Sequence, residues 1–448
     1  MPRRTNTTLT AADRRSAMRC AYRNAAVWAI GNGLASTTLV VYLARQFGAG
    51  GIAISWIVAA PHLVGALRIF APALAERWGD RKRFCIAMYV ASGVVLLALP
   101  GVCVPGLLGD ARRSLFALVV LWCLYHLLEY LATVALWSWL GDLVPSAIRG
   151  RFIGRRERAL TLARIGGLLA GGQVADQFKA VYASDPSVHW IGYAIAAVAG
   201  AVFLIAAVAP LLRMPRAAPR GEVLPDERSP NRPRTGFVTA FHSMLAPLAD
   251  RRFRPLLAFS CWFSFCNGLA QAPQYLFQQH VLALSLTSVV VMQIVMRLGQ
   301  SAVSPALGRI ADRGFSTPMM MASQAVVAAS TLFFYVATPA SAWWFAGAHL
   351  AWIAYAGLNV GLPRLMLNLS PDADSSRHVA AYFAVSGLVF AAGSLLGGHL
   401  FEQLAAGPSW IERIPGVDDR FDLFFLGSTA LRLVGVVWIA RIAEPRDH

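Results

Sequence analysis

Apolar runs of the length that carries a helix across a bilayer, about 20 residues, recur along the whole of this 448-residue chain. Windows of that kind start near Asn24, Ile52, Phe84, Leu115, Ala159 and Trp190, and again near Pro255, Leu284, Thr317, Ala342, His378 and Asp422. Twelve spans, six and six, follow. With 57% apolar and 14% charged residues and a positive mean hydropathy, the chain reads as an all-α membrane protein.

Two charged turns interrupt the apolar runs in the same way. Residues 72–83 read PALAERWGDRKR, and residues 305–314 read PALGRIADRG. The repetition goes further. Asn32-Gly33-Leu34-Ala35 returns as Asn267-Gly268-Leu269-Ala270. Asp142-Leu-Val-Pro145 returns as Asn368-Leu-Ser-Pro371, and Gly167, Gly171, Gly172, Asp176 and Gln177 return at one constant offset as Gly393, Gly397, Gly398, Glu402 and Gln403. Shared offsets of this kind mark an internal duplication.

The net charge of +17 does not point to nucleic acid, because the basic residues sit in short turns between apolar runs. Roughly 28 Lys/Arg fall at the N-terminus, in the two turns, near residues 149–158, in the stretch 213–254 and at the C-terminus, against about five in the opposite loops. Both termini are therefore expected in the cytoplasm, with a bacterial inner membrane as the setting. No cleavable signal peptide is apparent, so the first span is expected to stay. The six cysteines lack metal-ligand spacing and read as packing residues. The chain divides into a basic tail (1–23), a first bundle (24–212), a connector (213–254), a second bundle (255–442) and a short tail (443–448). Within the connector, Phe237, Phe241, Met244, Leu245 and Leu248 recur at helical spacing. That helix either lies on the membrane surface or packs on the protein.

The charged turns resemble the signature loop of the major facilitator superfamily, of the form GxLADRxGRR, which joins the second and third helices of each half. Gly308, Ile310, Ala311, Asp312, Arg313 and Gly314 match it, as do Leu74, Ala75, Arg77, Gly79 and Arg81, with Pro72 in place of Gly and Glu76 in place of Asp. The stretch PSAIRGRFIGRRER after the fourth span resembles the family's next cytoplasmic loop, carried by Arg149 and Gly150. The resemblance implies two pseudo-symmetric six-helix bundles that alternate access to a central site. It also implies a cytoplasmic gating network of Glu76, Arg77, Gly79, Arg81, Arg149, Gly308, Asp312 and Arg313. From charge alone, these turns could equally be topogenic clusters. No substrate follows from the fold, no cofactor or metal is implied, and a monomer among membrane lipids is expected.

Ionisable residues inside spans carry the sharpest signal, since burying them there is costly. Glu129 lies mid-span with His126 one turn before it and Tyr125 and Tyr130 alongside. A carboxyl at that depth can load and release a proton, and residues three apart share a helix face. Glu129 and His126 are the candidates for proton coupling, against a purely structural, neutral Glu129. Arg297 and His62 sit at similar depth, Arg68 and Arg164 nearer the span ends, and Arg432 in the last span has no evident role. An amide stripe, Ser264, Asn267, Gln271, Gln274 and Gln278, keeps one face of the seventh span and must meet protein or water. Pro273 within it is expected to kink the helix. Trp352, Tyr355 and Asn359 are the counterparts of His126, Glu129 and Thr133. Together with Asn32, Arg164, His62 and Arg297, these residues form the expected substrate cavity. Finally, Gly167/Gly171 and Gly393/Gly397 are GxxxG pairs that let helices approach closely, as static packing or as surfaces that slide.

The function these features favour is secondary active transport of a small organic solute, proton-coupled, with Arg297 leaning toward anionic metabolites. An exporter of amphiphilic compounds is the alternative. A membrane-embedded sensor without flux is the alternative of another class. An enzyme is disfavoured, because no nucleophile–base pair, metal cluster or phosphate loop stands outside the spans.

Overall fold

The computed structural model describes residues 10–144, 149–216, 250–369, 375–406 and 413–442. The expected connector helix, Pro145, Pro371 and both chain ends lie outside them, as do the side chains of Glu76, Arg149 and Asp312.

Helices account for nearly all the described residues, and most start near the apolar windows, while the first and fifth begin earlier, at Ala11 within the expected basic tail and at Arg149. The first span is Ala11–Leu34 followed by Thr37–Gln46, the second Gly51–Gly65, the third Arg81–Val102 and the fourth Ala111–Leu143. The fifth is Arg149–Val181 and the sixth Trp190–Ala206. In the second half, Arg254–Leu276 is the seventh, Leu286–Asp312 the eighth and Ser316–Ala329 with Leu332–Val336 the ninth. Trp344–Ala351 with Tyr355–Leu369 makes the tenth, Ser375–Gln403 the eleventh and Arg420–Ala440 the twelfth. Among the described residues, ten helices are long and apolar enough to cross a membrane. The other two expected positions hold the long helices Arg149–Val181 and Arg254–Leu276, which carry the arginine-rich start of the fifth span and the amide stripe of the seventh.

Side-chain caps start several helices by satisfying free N–H groups, each worth about 1 kcal/mol. Asp80, Asp110, Ser285 and Asp419 all accept from backbone N–H groups of their first turns. The seventh span continues as helix through Pro273 and then widens into a π-helical turn at Phe277–Val281.

By contacts the chain divides into two units: residues 1–47 with 67–237, and residues 48–66 with 238–448. Each has its own apolar core. The first gathers Phe84, Tyr89, Leu136, Trp139, Leu140 and Phe152. The second gathers Phe253, Phe259, Met320, Leu358, Leu365 and Tyr382. Large apolar side chains such as Val94, Phe116, Val202, Leu298 and Val437 stand exposed on the spans, as a lipid-facing surface requires.

Packing inside the two units repeats. The first span packs on the fifth and sixth, the third on the fourth and sixth; in the second unit the seventh packs on the eleventh and twelfth, the ninth on the tenth and twelfth. The repeated glycines explain the closest of these crossings. A Cβ on Gly167 would run into the backbone carbonyl of Ile30, and one on Gly33 into the backbone of Arg164 and Gly167. In the second unit, Gly393 and Gly397 lie against the backbones of Phe265 and Leu269, and Gly268 against Phe390 and Ser394. Gly171 is less crowded, its nearest neighbour being the Leu34 carbonyl at 3.3 Å from the would-be Cβ. The second span's Gly51–Gly65 packs on the eleventh. Gly398 abuts Gly51 and Ser55, Ser394 Oγ donates to the Ser55 carbonyl at 3.2 Å, and the Gly51 N–H donates to Glu402.

Candidate functional site

In the first unit, chemistry gathers on the fourth span. Glu129 is 5% exposed, on the span against which the third span packs. Thr133, one turn on, donates its hydroxyl to Glu129 Oε1 at 2.8 Å, and Tyr89 of the third span holds Thr133 Oγ1 at 3.0 Å. With Thr133 donating to the carboxylate, Tyr89 must donate to Thr133. A protonated Glu129 can donate instead, and the chain of hydroxyls then reverses without any atom moving far. Arg68 follows the second span and Arg164 lies within the fifth. Both are exposed, and Arg68 lies over the Tyr130 ring, 3.8 Å from its centroid. His126 is buried against Trp122, Tyr125 and Tyr130, with ring centroids 4.4, 4.8 and 5.6 Å away. Asn32 points its amide at the Tyr125 hydroxyl at 3.5 Å, the limit of hydrogen bonding.

The second unit builds a different cluster at the corresponding place. Tyr355, the counterpart of Glu129, donates its hydroxyl to Asn267 Oδ1 at 2.8 Å and accepts from Arg432 Nη1 at 2.8 Å. Arg432 is 2% exposed; its Nε donates to Ser428 at 3.0 Å, and Gln324 donates to its carbonyl at 2.8 Å. Sequence reading found Arg432 but no role for it, since its partner lies 77 residues away on another helix. In the amide stripe, Gln271 donates to Gln274 at 3.5 Å, and Ser264 is half-buried. Gln274 Nε2 and Gln278 Oε1 are sealed from solvent without a hydrogen-bond partner among the described residues. Trp352 opens a single 3-10 turn that breaks the tenth span, and its carbonyl accepts from Gln300 at 2.9 Å. His62 stacks at 4.0 Å on Phe390, while Arg297 and Asn359 are exposed on the eighth and tenth spans.

At the turns, Gly79 and Gly314 have φ of +76° and +82°, the left-handed region that glycine enters without penalty. Arg77 and Arg313 are exposed, Arg81 begins the third span, and Gly308 sits within the eighth with open space around it. The hub of the first turn is a residue that sequence reading passed over. Asp80 caps the third span through the Arg83 N–H at 3.1 Å and receives Arg216 Nε at 3.2 Å and Arg83 Nε at 3.5 Å. Partial burial pushes the Asp80 acid upward, but the N–H of Arg83 and the Arg216 guanidinium outweigh it and hold the group below the usual carboxylate range. Beside it, Lys82 Nζ donates to the carbonyls of Leu212 and Met214 at 2.8 and 2.6 Å, closing the end of the sixth span.

The Major Facilitator Superfamily model matches residues 24–313. No curated protein matches the chain. Solved transporter structures share its fold. A point mutant of the nucleoside transporter NupG is 12% identical with a TM-score of 0.69, covering 95% of this chain and 100% of its own. A bacterial homologue of the human lysosomal transporter Spinster, inward-facing and unoccupied, is 15% identical with a TM-score of 0.64, covering 97% and 96%. A D-xylose–proton symporter is 13% identical with a TM-score of 0.63, covering 96% and 98%.

Proposed function

The chain belongs to the Major Facilitator Superfamily, and we propose that it is a secondary active transporter of a small organic solute, coupled to protons through Glu129. It is an integral membrane protein and a transporter rather than an enzyme. The observation that carries the coupling is the buried Glu129 carboxyl at the end of a reversible hydroxyl chain, with Thr133 at 2.8 Å and Tyr89 at 3.0 Å behind it. A charged group is rarely kept at membrane depth without use. The hydroxyl chain serves the ionised form in one direction and the neutral form in the other. Solute binding falls to Asn32, Ser264, Asn267, Gln271, Gln274, Trp352, Tyr355 and Asn359, where the buried Gln274 Nε2, without a hydrogen-bond partner among the described residues, suits a ligand that brings its own acceptor. Arg297 and His62 complete the set, Arg297 receiving a carboxylate or phosphate of the solute. The turn residues Arg77, Arg81, Arg313 and their acidic neighbours gate the cytoplasmic side, and both termini lie in the cytoplasm of a bacterial inner membrane, where the chain acts as a monomer.

Proteoliposomes test this directly. A pH gradient should drive accumulation of the solute by the native protein. Glu129→Gln should abolish that accumulation yet retain solute exchange at equal pH. Gradient-driven accumulation persisting in Glu129→Gln removes the coupling role, and unchanged solute affinity in Arg297→Gln removes the anionic preference.

A further inference from the structure

The start of the first span and the start of the fifth enclose a cavity of about 550 Å³ that transport does not account for. Its lining includes Arg15, Met18, Arg19, Tyr22, Phe152 and Arg155. Arg15, Arg19 and Tyr22 repeat at helical spacing, so they share one face of Ala11–Leu34. Phe152 and Arg155 do the same on Arg149–Val181. Tyr22 and Phe152 meet across the floor with ring centroids 5.2 Å apart. The cavity therefore has an apolar, aromatic floor and a rim of three guanidinium groups.

No acid in the lining offsets them. Asp13 on the same helix is occupied by Thr10, accepting from its N–H at 3.1 Å and its hydroxyl at 2.7 Å, and Glu157 lies 3.5 Å from Arg156. Three like charges line one cavity at the end of a membrane span, with no acid among its described lining residues. An anion with several acceptor oxygens relieves that repulsion, and an attached apolar chain covers Met18 and the two rings. We infer that this cavity binds the phosphate headgroup of an anionic phospholipid, held by Arg15, Arg19 and Arg155 with its glycerol and upper acyl region against Tyr22, Phe152 and Met18. The site needs no assignment of solute or coupling ion.

The test uses the full chain reconstituted in vesicles of four parts phosphatidylcholine to one part phosphatidylglycerol, then extracted in mild detergent. Native mass spectrometry counts the lipids retained. The native protein should retain phosphatidylglycerol in preference to phosphatidylcholine. Removing the charges in an Arg15→Gln, Arg19→Gln, Arg155→Gln triple variant should lower that preference by about fivefold per arginine. All three arginines are exposed, so the variant should fold; a triple Lys variant, keeping the charge, should retain most of the preference and separates charge loss from misfolding. Arg23→Gln removes an arginine from the same helix outside the cavity and should change nothing. Undiminished preference in the triple Gln variant overturns the site, as does an equal loss in Arg23→Gln. Displacement of the lipid by millimolar inorganic phosphate also overturns it, because the ligand would then be a soluble anion.

Discussion

The two halves of this chain bury opposite charges at related places. The first half keeps Glu129 on its fourth span, where the Thr133 hydroxyl donates to it at 2.8 Å and Tyr89 in turn holds Thr133 at 3.0 Å. The second half puts Tyr355 where Glu129 would be and brings in Arg432 from the last span, so that Arg432, Tyr355 and Asn267 close into a chain of 2.8 Å bonds. The asparagine common to both halves reports the same contrast, at 3.5 Å from Tyr125 in one and 2.8 Å from Tyr355 in the other. On the proposed reading, the first half of a duplicated scaffold would change protonation state while the second holds still.

The largest effect expected from that contrast is functional. Glu129→Gln should abolish gradient-driven accumulation while solute exchange at equal pH persists. Tyr355→Phe should leave the coupling intact. If Tyr355→Phe uncouples transport as fully as Glu129→Gln does, the division of labour between the halves is wrong.

Stability should show the opposite ranking. Tyr355→Phe removes the acceptor from a buried guanidinium, and hydrogen bonds to charged groups are worth about 1.5–3 kcal/mol. Tyr125→Phe gives up a contact at the limit of bonding and should cost no more than about 0.5 kcal/mol. Melting temperatures in detergent of the two single variants decide it, and equal losses would mean that the second-half network is no tighter than the first.

Sequence carried much of this. Length and apolarity located the helices, and repeated glycines located the tightest crossings, because both signals are local to a span. Glu129 stood out for the same reason, being an acid where lipid or protein must enclose it. What sequence could not supply was pairing at a distance. Arg432 donates to Tyr355, which lies 77 residues away on another span. Asp80 hid among the charges of its turn, because the acid matching the family pattern is Glu76 and its cation, Arg216, lies 136 residues on. Most of the candidate cavity residues, among them His62, Arg164, Arg297 and Asn359, are exposed or half-buried, and nothing in spacing distinguishes such positions from lipid-facing ones.

The glycine pairs give a subtler difference. Gly397→Ala drives a methyl group into the Leu269 carbonyl, backbone that cannot turn aside, so overpacking of about 1–3 kcal/mol is expected. Its counterpart Gly171→Ala meets Leu34 at 3.3 Å, close enough to need a few tenths of an ångström of adjustment. It should cost less than half as much, offset in part by alanine's better helix propensity. Equal losses of melting temperature would show that the two crossings are equally tight after all.

The smallest effect separates the two charged turns. Gly79 and Gly314 repeat, but the next residue is Asp80 in one turn and Phe315 in the other, and only the first is a side-chain cap. Asn caps a helix as well as Asp does, so Asp80→Asn isolates the carboxylate's attraction for Arg83 and Arg216. An exposed pair of this kind is worth about 0–1 kcal/mol. Folding holds the Asp80 acid below its unfolded value, so the native state binds the proton less readily than the unfolded chain. Its contribution is therefore complete above the ordinary carboxylate range near pH 4 and is lost as pH falls through the lower, folded value. Melting curves of native protein and Asp80→Asn should lie apart at neutral pH and converge in acid. Curves that stay parallel down to about pH 3 would assign the turn's stability to the cap alone. The first turn would then differ from the second only by a hydrogen bond to backbone, with no charge latch to release.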